Sequence, residues 1–103
     1  MLTGDITWTD RSYPDDPGTA KIKGSLKPNG KVVFQYNWEG TEYLATFDVE
    51  SSQGSARQVG SNQIHATFAG VCRILSDDQI ELRGGVWTED GRDYDWEADL
   101  GDY

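Results

Sequence analysis

Asp93, Asp95, Glu97 and Asp99 alternate through "RDYDWEADL", the most regular run of ionisable groups in the chain. Carboxylates in a row suggest a cation site or an acid–base pair. On an extended chain every second residue lies roughly 6.6–7 Å from the last, whereas calcium needs its oxygens within about 2.3–2.6 Å. Two neighbours could just reach one ion, but four could not share it. An acid–base pair carries no weight either, because 18 acids among 103 residues bring some pair together by chance. The row reads as the wet side of a strand, discouraging edge pairing, and as a surface a basic partner could meet. Lys21, Lys23 and Lys27 would relieve its repulsion from a nearby strand, each cross-strand pair being worth about 0.2–1 kcal/mol.

Other chemistries find less support. His65, the only histidine, alternates with Ile64, Ala66 and Phe68 in a way that points it out of the core. No Ser or Cys motif accompanies it, so neither a triad nor a zinc site is advertised. Cys72 is alone and lies in a short apolar stretch, where a small core residue is expected rather than a nucleophile. "RGGV" lacks the spacing and the following helix of a phosphate loop. "YPDDPG" and "SDD" are turn chemistry. No catalytic residue, metal or cofactor is expected.

Composition narrows the class. One domain, residues 1–103, can bury a modest core. Four Trp, five Tyr and three Phe can supply much of it, each ring burying about 150–250 Å². A formal charge of −9 and a pI near 4.3 oppose nucleic acid and anionic membrane surfaces, so neither is an expected partner. One cysteine, no signal pattern and no long apolar run fit a cytoplasmic protein.

These residues must be positioned by strands, because period two runs through the chain and period 3.6 is nearly absent. "GDITWTD" sends Gly4, Ile6 and Trp8 to one side, and "AKIKGSLK" sends Ala20, Ile22, Gly24 and Leu26. "KVVFQYNW" contributes Val32, Phe34, Tyr36 and Trp38, and "TEYLATFDVE" contributes Tyr43, Ala45, Phe47 and Val49. The polar 51–62 segment reads as a long loop or frayed edge. "QIHATFAG" then offers Ile64, Ala66 and Phe68, and "VCRIL" leads to "QIELRGGVW" with Ile80, Leu82, Gly84 and Val86 inward. The last strand sends Tyr94, Trp96, Ala98 and Leu100 inward. The expected fold is all-β: a single antiparallel up-and-down meander of about seven to eight short strands, closed or nearly closed into a barrel. A β-sandwich is the alternative.

The closing stretch, "LRGGVWTEDGRDYDWEADL" (82–100), resembles the last hairpin of small calycin-type barrels, the lipocalin-like and avidin-like proteins. There a Gly-x-Trp segment precedes a turn and a final strand; here it is Gly85-Val86-Trp87. Lipocalins carry a second Gly-x-Trp in the first strand, whereas here three residues separate Gly4 from Trp8. The resemblance implies a cup-shaped barrel that binds a small apolar or amphipathic molecule.

An eight-strand barrel is wide enough to be filled by side chains or to hold one small ligand. The leading expectation is therefore a non-catalytic protein binding a small hydrophobic or aromatic molecule in the barrel mouth. Trp8, Tyr36, Trp38, Tyr94 and Trp96 would form the wall. Trp87 breaks parity with Val86 and is expected on the rim, beside Glu89 and Asp90. A second reading is an acidic inhibitor of a basic protein, phage-encoded or toxin-neutralising and imitating nucleic acid, that presents Trp87, Asp93, Asp95, Glu97 and Asp99. A third is a carbohydrate-binding module built on an exposed Trp87.

Overall fold

The computed structural model describes residues 1–101 and contains ten strands and no helix among them. In chain order they are β1 (Leu2–Asp10), β2 (Gly18–Leu26), β3 (Lys31–Trp38), β4 (Thr41–Asp48) and β5 (Gln53–Gln58). They continue as β6 (Ile64–Ala69), β7 (Val71–Ser76), β8 (Gln79–Arg83), β9 (Trp87–Glu89) and β10 (Arg92–Gly101). All pairings are antiparallel, and β1 pairs with β10, so β1-β2-β3-β4-β5-β6-β9-β10 close into an eight-strand up-and-down barrel. β7 and β8 form an additional hairpin outside the eight-strand order, with Ile80 and Leu82 of β8 still facing the common core. β8 binds the second half of β10, Glu97–Gly101, beyond the three residues that pair with β9.

Turn chemistry sets the ring. Glu39-Gly40 and Asp90-Gly91 are two-residue connections with both φ angles positive (53° and 84°; 51° and 75°). That geometry matches the right-handed twist of the strands it joins. The 51–62 segment departs from the loop expected of it. β5 crosses there, and its Ala56 is buried opposite Ala45 and Ala66. Its small polar residues hide a strand because the rings of β4 and β6 already fill the space it faces.

The interior is filled over most of its length by Ile6, Val32, Phe34, Phe47, Ile80, Leu82 and Leu100. Phe47 and Trp87 stack on opposite faces of Phe68, with centroids at 6.0 and 4.6 Å, and Trp96 meets Phe68 edge-on at 5.0 Å. Buried alanines at 20, 45, 56, 66 and 98 make room for these rings.

Three inward assignments end exposed at element ends, Leu26 of β2, Trp38 of β3 and Ile64 of β6, whereas Val49 is partly buried against the core. Cys72 is half-buried and packs against the edge of the core from β7, the sheet's terminal strand, which exposes Val71, Ile74 and Leu75.

The largest departure is at Gly84 and Gly85, which have φ of 73° and 74° and break "QIELRGGVW" into β8 and β9. Gly84 is exposed rather than inward, Val86 is half-buried, and Trp87 takes the inward place at 1% exposure. A Cβ at Gly85 would run into the Ala69 carbonyl, whereas one at Gly91 would meet nothing. Both positions impose the left-handed cost on alanine, roughly 1–2 kcal/mol, but only Gly85 adds a steric clash. Urea denaturation is expected to show Gly85→Ala losing more stability than Gly91→Ala, with the m-value unchanged; equal losses would remove the close approach from this account.

Candidate functional site

The connections β1–β2, β3–β4, β5–β6 and β9–β10 gather at one end of the ring, and a cavity of about 470 Å³ opens there. Trp8, Tyr36, Trp38, Tyr43 and Tyr94 wall it, and Trp87 also lines it. Trp8 is central to this wall. Its ring centroid lies 5.3 Å from Tyr36, 5.5 Å from Trp38 and 5.4 Å from Trp87, the last two edge-on. Tyr36 and Tyr43 stack at 5.1 Å. Trp87 continues below into its stack on Phe68, so the cup's floor is the top of the core.

Four of the five expected wall residues are therefore brought together: Trp8, Tyr36, Trp38 and Tyr94. Trp38 does so from the rim, 38% exposed at the end of β3. Trp96 does not belong to the cavity. It is buried one step deeper, where its Nε1 donates to the Ala69 carbonyl at 3.0 Å and its ring packs on Trp87 at 5.6 Å. Trp87 occupies the place expected for Trp96, and it is not a rim residue. The parity count failed there because the glycine pair inserts an extra residue between the inward Leu82 and Trp87.

A second break in parity corrects His65. β5 and β6 pair Ala56 with Ala66 but Arg57 with Ile64, so His65 is the extra residue of a bulge. The bulge turns Ile64 outward and puts His65 in the mouth, its ring 4.5 Å from that of Tyr43. There His65 Nε2 lies 3.2 Å from Glu89 Oε1, and the same oxygen accepts from Trp87 Nε1 at 3.2 Å. Asp10, Tyr13, Asp16 and Arg92 complete the charged and polar rim, with Arg92 Nη1 held 3.3 Å from Asp10 Oδ2. Glu89 follows Trp87 by two residues, so it shares the inward face once the glycine kink is recognised. The bulge at His65 left no comparable mark in the residues around it.

The acidic row stays outside the barrel and is tied to arginines. Asp95 meets Arg11 at 3.0 Å, Asp99 meets Arg83 at 2.7 Å, and Glu97 lies 3.6 Å from Arg83. Asp93 accepts from the Thr88 hydroxyl at 3.0 Å. The lysines do not serve this row. Lys21 pairs with Asp5 of β1 at 2.8 Å, and β1 stands between β2 and β10. A second depression, larger at about 690 Å³ but more open, lies beside Asp5, Ile22, Lys21, Lys23, Gln35 and Glu42, away from the ring of aromatic side chains at the mouth.

No protein-family model, curated protein or solved structure matches this chain.

Two buried polar atoms of the wall have no hydrogen-bond partner among the described residues: Trp8 Nε1 and the Tyr36 hydroxyl. Burial pushes the Tyr36 phenol far above the usual tyrosine range, and Glu89 and Tyr43 push the same way. Burial raises Tyr94 as well, followed by Glu89 and Asp10. An unfolded tyrosine ionises near pH 10. Above that pH the unfolded chain sheds a proton that folded Tyr36 keeps, so this group's stabilisation fades as pH rises. Tyr36→Phe is expected to flatten the alkaline fall in stability by up to about 1.36 kcal/mol per pH unit. At neutral pH it should be as stable as the parent or more so, having no hydrogen bond to lose. A loss above about 1 kcal/mol at neutral pH would mean that the hydroxyl is partnered after all.

Proposed function

We propose that this chain is a non-catalytic binding protein that takes a small hydrophobic or aromatic molecule in the mouth of the barrel. The observation that carries the reading is the contrast within the interior: rings fill the barrel up to Trp87, and above it a 470 Å³ cup stays open between aromatic walls. Ligand cavities generally span about 300–1,000 Å³, with mostly apolar walls and a few polar groups that orient the guest. Here the polar groups lining the cavity are the Glu89 carboxylate with His65 beside it, and Asp10, Asp16 and Arg92 at the rim. The calycin resemblance points to the same use of a closed up-and-down barrel. A cytoplasmic setting is part of the proposal, resting on the lone, half-buried Cys72.

The rival readings fare unequally. The carbohydrate module needed an exposed Trp87, and the burial of that ring removes its platform. The acidic inhibitor would present the 93–99 row, and three of its four carboxylates already share that face with Arg11 and Arg83, which dilutes its negative charge.

A neutral aromatic probe such as N-phenyl-naphthylamine should bind saturably at one site and quench tryptophan emission. Native mass spectrometry of protein purified from its host should carry the added mass of a small molecule. Trp38→Ala and Tyr43→Ala, both at partly exposed wall positions, should weaken the probe by roughly two- to tenfold each, the range of one aromatic contact. A bare chain that neither retains a guest nor binds the probe would end this reading.

A further inference from the structure

We propose that the guest of this cup is a small organic cation: an alkylated ammonium on an apolar body, held over the aromatic wall against Glu89. This inference rests on the binding reading above and adds the charge of the ligand.

The cavity is lined by Trp8, Tyr36, Trp38 and Tyr43, aromatic rings that pack against one another at centroid spacings of 5.1–5.5 Å. Ring faces carry negative quadrupole density and attract a cation within about 6 Å, most strongly when water is excluded. The charges lining the same cavity point the same way. Asp10, Asp16 and Glu89 stand against Arg92 alone, a formal −2 with His65 neutral. Arg92 is held by Asp10, so it offers little to an anionic guest. Glu89 takes Trp87 Nε1 and His65 Nε2 both on Oε1, which keeps its second oxygen for a guest. Its side chain is 27% exposed, so solvent screens it less than Asp95, Glu97 and Asp99 of the outer row, which are 43–65% exposed. The Tyr36 and Tyr94 phenols register that field, since Glu89 contributes to holding both protonated.

A carboxylate guest would meet the same acids and be repelled. A neutral guest would leave Glu89 facing apolar atoms, which costs a partly buried charge some of its solvation. An alkylated ammonium suits this site because it needs no hydrogen-bond acceptor of its own. Its diffuse charge matches several ring faces at once. The net charge of −9 also draws cations toward the mouth.

The test is calorimetric titration of the intact chain with benzyltrimethylammonium and with its uncharged carbon isostere, neopentylbenzene. The cation should bind about tenfold more tightly. In Glu89→Gln, which keeps the acceptor for Trp87 Nε1, that preference should shrink severalfold. Asp16→Asn, on the exposed β1–β2 loop, gives a second reading should Glu89→Gln fail to fold, and should lower the preference in the same direction. Asp77→Asn, in the β7–β8 turn at the far end, should leave it unchanged. Equal binding of the two probes, or a preference that Asp77→Asn lowers as much as the cavity variants, overturns the cation assignment and leaves the binding reading standing. Binding of neither probe overturns both.

Discussion

Trp87 lying flat on Phe68 decides how much of this barrel is filled. The two rings are 4.6 Å apart and within 7° of parallel. With Phe47 on the other side of Phe68 and Trp96 edge-on, they plug the middle of an eight-strand ring. Such a ring has an interior barely wider than side chains require. On one side of the plug lies the rest of the buried core, and on the other the cavity opens to the mouth. The plug forms because Gly84 and Gly85 take left-handed conformations that ordinary residues resist, shifting β9 by one place relative to β8. Without that shift Val86 would point inward, Trp87 would lie outside, and the central layer would lack its largest ring.

Charge is sorted by the same wall. On the outer surface, the strict alternation of Asp93, Asp95, Glu97 and Asp99 places four carboxylates where water and arginines can reach them. Their pairs with Arg11 and Arg83 are of the exposed kind, worth about 0–1 kcal/mol each. They prevent repulsion along β10 more than they bind the fold together. Glu89 is a different object. It sits on the inward face beside Trp87, half-shielded, and its partners are an indole N–H and an imidazole rather than an arginine. One chain thus carries an acidic row on its outer face and three acids, Asp10, Asp16 and Glu89, at the cup, of which Glu89 alone is held by an indole and an imidazole.

The alternation in the sequence was enough to find most of the strands, the inward face of each regular one and the antiparallel meander. Ile6, Phe34, Phe47, Leu82 and Leu100 are all buried where period two puts them. It failed wherever one residue too many entered a strand. The glycine pair was visible, and consecutive glycines within an apolar strand are a recognisable sign of a bulge or kink. Reading through it moved Trp87 from floor to rim. The bulge at His65 had no such sign, because its neighbours are ordinary strand residues and the register is set by β5 across from it. β5 itself was hidden by the opposite problem. A strand that faces large rings needs only small inward residues, so Ala56 and Gly54 left little apolar signal.

Both misread positions belong to the β6–β9 side of the ring, and both deliver residues to the mouth. His65, Trp87 and Glu89 arrive there through an inserted residue, while Trp8, Tyr36, Trp38 and Tyr94 arrive by plain alternation. The division has a physical basis. Regular pleating places similar side chains at even intervals, which suits a uniform apolar wall. A polar group that must face inward at one level only cannot be placed by a repeating pattern without repeating elsewhere. A bulge or kink re-aims a single residue and leaves the rest of the strand in register. The irregularities in β6 and β8–β9 are therefore where this barrel departs from a filled scaffold, and the histidine and carboxylate they aim inward give the cup its chemical character.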